Sequence, residues 1–283
     1  MPDRDCLLRW LILCCLTLGF LVCPQGVGAQ EKRLSFGVVP QQSASKLVRT
    51  WTPLLRSLAD KTGYDLVFKT APSIVEFEQQ LATGHYDLAY MNPYHYTVFS
   101  ESSGYRAFAK QKDVRLQGIL VVHQDSPYQT VYDLAWAELA FPSPAAFAAT
   151  ILPLAHLKKS NTQIIPKYVN SHDSVYLSVA MGLFPAGGGV VRTLDNTEAV
   201  IRSQLRILWT SDPYTPHAFA AHPRLGSPIT DTIQKAMVDM NDDPAALVLL
   251  ENLNFKGFAK ARHQDWDDVR ALHISELEDF IKK

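Results

Sequence analysis

Beyond residue 29 the chain has no cysteine: Cys6, Cys14, Cys15 and Cys23 are the only four. Such a body has no disulfide, no thiol nucleophile and no thiolate metal site, and must stand on its hydrophobic core. Charge of one sign is not in excess either. The 27 Lys and Arg face 28 Asp and Glu, a formal net charge of -1, which argues against a dedicated nucleic-acid binder. No apolar run reaches the roughly 20 residues of a membrane-spanning helix. With 14 Gly and 17 Pro among 283 residues, collagen-like and low-complexity classes drop out. Catalytic signatures are missing too: there is no GxSxG elbow, HExxH pair, Walker A loop or strand–GxGxxG–helix fingerprint. What is present, 47% apolar and 19% charged residues, is a globular composition with ample material for a core.

The first 29 residues read as a secretory signal. Arg4 and Arg9 precede an apolar stretch from Trp10 to Val22, too short to span a membrane and suited to a signal core. Val27-Gly28-Ala29 offers small or modest residues at a cleavage site, so cleavage is expected after Ala29 and the body is expected in the periplasm. Val22 stands where a lipoprotein signal carries a small residue, which argues against anchoring at Cys23. An uncleaved anchor is the other reading of this segment.

Short apolar runs then alternate with amphipathic stretches. Strand patterns cover Leu34 to Val39, Tyr64 to Lys69, Tyr86 to Met91, Arg106 to Lys110, Leu116 to His123, Glu138 to Phe141, Ile164 to Val169, Gly189 to Val191, Leu205 to Trp209 and His217 to Ala221. Helical spacing covers Ala44 to Lys61, Ser73 to Ala82, Asn92 to Phe99, Ala146 to Lys159, Asp173 to Met181, Leu194 to Ser203, Thr230 to Met240, Ala245 to Asn252 and Asp265 to His273. Pro53 is expected to kink or restart the first helix. The alternation implies an α/β protein with largely parallel sheets. Two extended joints, Leu116 to Ser126 and Trp209 to His222, suggest crossover strands. They would divide the body into a discontinuous lobe of residues 30–121 and 213–283 and a second lobe of residues 122–212, hinged around a cleft.

Four strand ends lead into polar or proline-containing turns that open helices: Pro40-Gln41-Gln42-Ser43, Asn92-Pro93-Tyr94-His95-Tyr96, Pro142-Ser143-Pro144-Ala145-Ala146 and Asn170-Ser171-His172-Asp173. Each helix start offers unpaired N–H groups and a partial positive charge. Singly, each is an ordinary cap; together they suggest a cleft for a small anionic or polar ligand. Tyr94, His95 and Tyr96 serve equally as core or as ligand contacts. Ser171 or Asp173 reads as an N-cap, and His172 as either a bystander or an anion donor. Consecutive Ser171-His172-Asp173 cannot relay protons as a triad. Gly187-Gly188-Gly189 reads as close backbone packing at a turn rather than a phosphate loop. No metal or cofactor is expected.

Four stretches, FGVVPQQSASKLVRTWTPLL, TGHYDLAYMNPYHY, NSHDSVYLSVAMGL and DDPAALVLLENL, resemble the PhnD-like periplasmic phosphate, phosphite and phosphonate-binding proteins of ABC importers. The similarity spans nearly all of the body in order. It implies a two-lobed type II periplasmic binding fold, with two mixed sheets flanked by helices and two hinge strands. It also implies a small oxyanion as cargo, no catalysis, and delivery to a membrane permease; presentation of the bound ligand to a sensor kinase or receptor is the alternative, and a monomer is the default expectation. From the strand ends and turns above, ligand contacts are expected at Gln41, Gln42, Ser43, Tyr90, Met91, Asn92, Tyr94, Ser171 and Asp173, and under the resemblance the family histidine falls on His172. The hydroxyl-rich run that cradles a phosphonate falls on Ala146-Phe147-Ala148-Ala149, and two family tyrosines fall on Ile74 and Met91. Two acids that would hold the amino group of an aminophosphonate fall on Arg192 and His217. Those departures argue against an aminoalkyl ligand, leave an anion as the expected guest, and add an apolar flank through Phe147 and Met91.

Overall fold

The alternating pattern resolves into two mixed sheets in the computed structural model, which describes residues 32–280. The expected signal segment, its expected cleavage site and Cys23 lie outside the described residues. The first sheet has the order β11-β4-β10-β3-β1-β2, built from β1 (Arg33–Val38), β2 (Asp65–Lys69), β3 (Leu88–Met91), β4 (Arg106–Gln111), β10 (Ala218–Ala221) and β11 (Phe258–Lys260). The second has the order β7-β6-β8-β5-β9, with β5 (Gly118–His123), β6 (Glu138–Phe141), β7 (Ile165–Tyr168), β8 (Ala186–Val190) and β9 (Leu205–Thr210). Helix-linked strands pair in parallel, β1 with β2 and β3, and β6 with β7 and β8. The returning strands β10 and β5 pair antiparallel to their neighbours. That return makes each sheet mixed rather than largely parallel.

The packing follows from side-chain period. Helix Ala44–Thr62 buries Leu47, Trp51, Leu54, Leu55 and Leu58, and Trp51 lies 5.9 Å from Phe36 and 4.8 Å from Tyr90, ring to ring. In β5 the period is two: Ile119 and Val121 join one core with Val175 and Tyr176, while Leu120 and Val122 join another with Leu139 and Phe141. Sheet membership changes between Gln111 and Gly118 and again between Thr210 and Ala218. The two crossing segments are tied by Leu116 and Tyr214, whose N–H groups donate to each other's carbonyls at 2.8 and 2.9 Å.

Several elements depart from the sequence expectation. Helix Ala44–Thr62 runs unbroken through Pro53, because its apolar face is held along its whole length by the sheet. The stretch from Ala146 begins as a π-turn, Phe147–Ile151, and becomes α-helix only at Leu152–Lys159. Pro153 brings no N–H to that turn, and the carbonyls of Ala148 and Ala149 press onto the second sheet. Only glycine admits them: a Cβ at Gly118 would sit 2.0 Å from Ala148 O, and one at Gly188 would sit 1.9 Å from Ala149 O. The glycine run therefore serves close packing within a strand, not at a turn. The segment from Leu194 to Ser203 splits into Val191–Asp195 and Ala199–Arg202, with the Thr197 hydroxyl donating to Thr193 O at the break. The expected helix Asp265 to His273 shrinks to Asp267–Arg270 behind a 3₁₀ turn, His263–Trp266. Strand β11 has no legible counterpart in the pattern.

Candidate functional site

Three helix starts and one strand entry meet between the sheets. Asn92 caps helix Pro93–Ser102 by accepting from His95 N–H at 2.8 Å. Its amide Nδ2 reaches across to Ala145 O at 3.2 Å. Ser171 caps helix His172–Ala180 by accepting from Ser174 N–H at 3.1 Å. His172 N–H donates to Gln41 O at 2.9 Å, a backbone link between the loop after β1 and the second half. The Phe147 turn sits against β5 and β8 of the second sheet, with Phe147 edge-on to Tyr214 at 5.4 Å.

The cavity they enclose is lined by Gln41, Ile74, Asn92, Ala146, Phe147, Ala148, His172 and His217, with Val39, Ala149 and Val190 as further walls, and its volume is about 10 Å³. That is room for about one water molecule. No carboxylate lines it. The N–H groups of the first Phe147 turn have no partner within the turn, so the lining is neutral and donor-rich.

His172 and His217 are 1% and 3% exposed. Burial, helped by the Arg192 guanidinium, pushes His172 down to about 3. Burial, Arg192 and the neighbouring His172 and His95 hold His217 well below the ordinary imidazole value. Both are neutral at physiological pH. His172 Nδ1 lies 3.0 Å from Thr193 Oγ1, which leaves Nε2 as its second polar atom. His217 stacks on Tyr90 at 4.9 Å, and its buried Nε2 has no hydrogen-bond partner.

A second cavity, of about 270 Å³, lies on the far side of His217 and is lined by Tyr90, Gln111, Arg115, Gln117, Arg192, Asp195 and Lys256 among others. Arg192 donates to Gln41 Oε1 at 2.7 Å and lies over the Phe255 ring at 5.7 Å.

Of the expected contacts, the structure thus gathers Gln41, Asn92, Ala146, Phe147, Ala148, His172 and His217 around one cavity, and Tyr90 and Arg192 around the next. The others lie elsewhere. Gln42 Nε2 and Ser43 N–H donate to the Asp173 carboxylate at 3.3 and 3.1 Å. Ser171 is spent as a cap. Met91 is fully buried in the first core. Tyr94 OH accepts from Leu277 N–H at 2.8 Å, Tyr96 OH pairs with His263 Nδ1 at 2.9 Å, and His95 Nε2 meets Glu78 Oε1 at 2.9 Å; this aromatic group packs the C-terminal segment and the interior.

The sequence from residue 36 to 266 matches the model of the family described as "ABC transporter, phosphonate, periplasmic substrate-binding protein". The chain belongs to this family. It is a substrate-binding protein of the ABC phosphonate-transporter type, and members of this family carry cargo rather than transform it. The binding protein is 23% identical to the phosphate-import protein PhnD of Mycolicibacterium smegmatis over 236 residues, 75% of this chain and 73% of that one. Its fold is that of a binding protein component of an ABC phosphonate transporter from Pseudomonas aeruginosa (TM-score 0.79, 16% identity, 86% of each chain). It also matches PhnD1 of Prochlorococcus marinus, solved in complex with methylphosphonate (TM-score 0.76, 17% identity, 85% of this chain and 97% of that one).

Sequence reasoning about the binding protein missed Val39 and Val190, each two positions from a residue it chose. It missed Gln111, Arg115, Gln117 and Lys256 entirely. These lie in or beside the crossing segments and the β11 approach, where no helix start or motif marks them.

Proposed function

We propose that the binding protein captures a small oxyanion between two lobes, one built on each sheet, and presents it to the permease of its transporter. The segments 112–117 and 211–217, joined through Leu116 and Tyr214, act as the hinge. The observation that carries this reading is the central cavity: helix starts from both sheets converge on it, and not one carboxylate does. His172 contributes through Nε2, its Nδ1 being held by the Thr193 hydroxyl; in the tautomer protonated at Nε2 that N–H is offered to the anion. A room of about 10 Å³ belongs to a shut cleft, so entry of a phosphonate requires the lobes to part and Phe147 to yield.

A thermal-shift series on the protein starting at Gln30 tests this with phosphate, phosphite, methylphosphonate and sulfate. A true ligand at about 100 times its Kd adds about 2.7 kcal/mol to stability, a rise in Tm of about 5 °C or more. If none of these oxyanions moves the Tm, the reading fails.

A further inference from the structure

The cavity beside Arg192 has a chemistry that the central one lacks, and His217 forms a wall of both. Its fixed charges can be accounted for one by one. Arg115 is matched by Asp268 at 2.7 Å. Asp195, the one carboxylate in the lining, faces Arg202 at 4.0 Å. Arg192 and Lys256 have no carboxylate within ion-pair distance among the described residues; the half-buried Arg192 guanidinium meets only neutral partners, the Gln41 amide oxygen and the face of the Phe255 ring. A partly desolvated cation without a counter-charge is an anion site in waiting. The independent observation is His217. It is 3% exposed, makes no hydrogen bond to any described residue, and keeps Nε2 fully buried. Such a group is costly unless something polar satisfies it.

We propose that the Arg192 cavity is a second subsite of the cleft, built for a second acidic group on the same ligand. The preferred cargo is then a phosphonate-type oxyanion bearing a carboxylate or comparable acid a few bonds away. Its first head lies among the helix starts, its second meets the Arg192 guanidinium, and His217 hydrogen-bonds between them. Gln41 ties the linings of the two cavities together, accepting from Arg192 through its side chain and from His172 N–H through its carbonyl. A volume of about 270 Å³ leaves space for such a substituent. This inference rests on the oxyanion-capture reading above.

Calorimetry with methylphosphonate and phosphonoacetate, on the wild type and on R192Q and R192K, tests it. The expected result is a preference of about tenfold or more for phosphonoacetate, the worth of one charge-assisted contact. R192Q should remove that preference, bringing the ratio of the two affinities close to one, and R192K should keep part of it. If the wild type binds both probes equally, or R192Q weakens both alike, the subsite is overturned and oxyanion capture stands. If the wild type binds neither probe, while phosphate or sulfate raises the Tm, the subsite is overturned alone. Silence from every oxyanion overturns both.

Discussion

His172 and His217 carry their weight as neutral groups. A histidine held neutral in the fold and ordinary when unfolded makes the unfolded state bind the extra proton below pH 6.5. Stability from His172 is therefore complete above about pH 6.5 and is lost as the pH falls toward about 3, with a slope of at most about 1.4 kcal/mol per pH unit. Urea unfolding of the ligand-free protein at pH 7, 6 and 5 should show stability declining with acid. His172→Gln should flatten that decline whatever it does to the level at pH 7. An unchanged slope in the variant would mean that His172 is not the buried neutral group described. At this scale the sequence was partly readable. The caps Asn92 and Ser171 bond as their positions announced, because a cap is a matter of three or four neighbouring residues. Tyr94 and Asp173 were read as ligand contacts on the same local grounds. Tyr94 instead bonds to Leu277, and Asp173 to Gln42 and Ser43, partners more than 100 positions away that no local pattern reveals.

Among the elements, the turn Phe147–Ile151 is the one whose placement shapes the cavity. Its seat is two glycine positions, Gly118 and Gly188, where backbone oxygens occupy the space of a side chain. Gly188→Val should cost about 3 kcal/mol or more, since the neighbour at 1.9 Å is a main-chain carbonyl that cannot swing aside. Chemical denaturation measures it, and a variant of wild-type stability would show that the turn is not fixed by this contact. Element existence was legible from periodicity, including the unbroken part of helix Ala44–Thr62. Element interiors were less so. Pro53 was read as a break because proline weakens a helix locally, yet the five buried residues on the helix face outweigh one missing hydrogen bond.

Taken whole, the protein is two sheets joined by two short crossings, and the proposed function requires them to move. With all four cysteines in the first 29 positions, a chain starting at Gln30 accepts a unique label pair. Spin labels on Arg56→Cys and Lys159→Cys, exposed sites flanking different sheets, should report a broad or long distance in the ligand-free protein. A shorter, narrower one is expected with saturating oxyanion. A single distance that ignores ligand would rule out hinged capture. The family assignment of the whole body was open to the sequence because ordered motifs span it. The sequence suggested extended joints at Leu116 to Ser126 and Trp209 to His222, whereas the segments that change sheet are 112–117 and 211–217. The sheet change itself falls before Gly118, where strand pairing rather than composition sets it.

By itself the sequence determined the alternation of strand and helix, the capped helix starts, the cysteine-free body and the balance of charge. All of these are carried by residues near one another in the chain or by simple counting. Tertiary structure alone decided which starts share a cavity, how little room they leave, and that Arg192 faces a second space behind His217. Those facts depend on sheet order and on side-chain direction across segments from Val39 to His217, and a linear pattern holds no record of either.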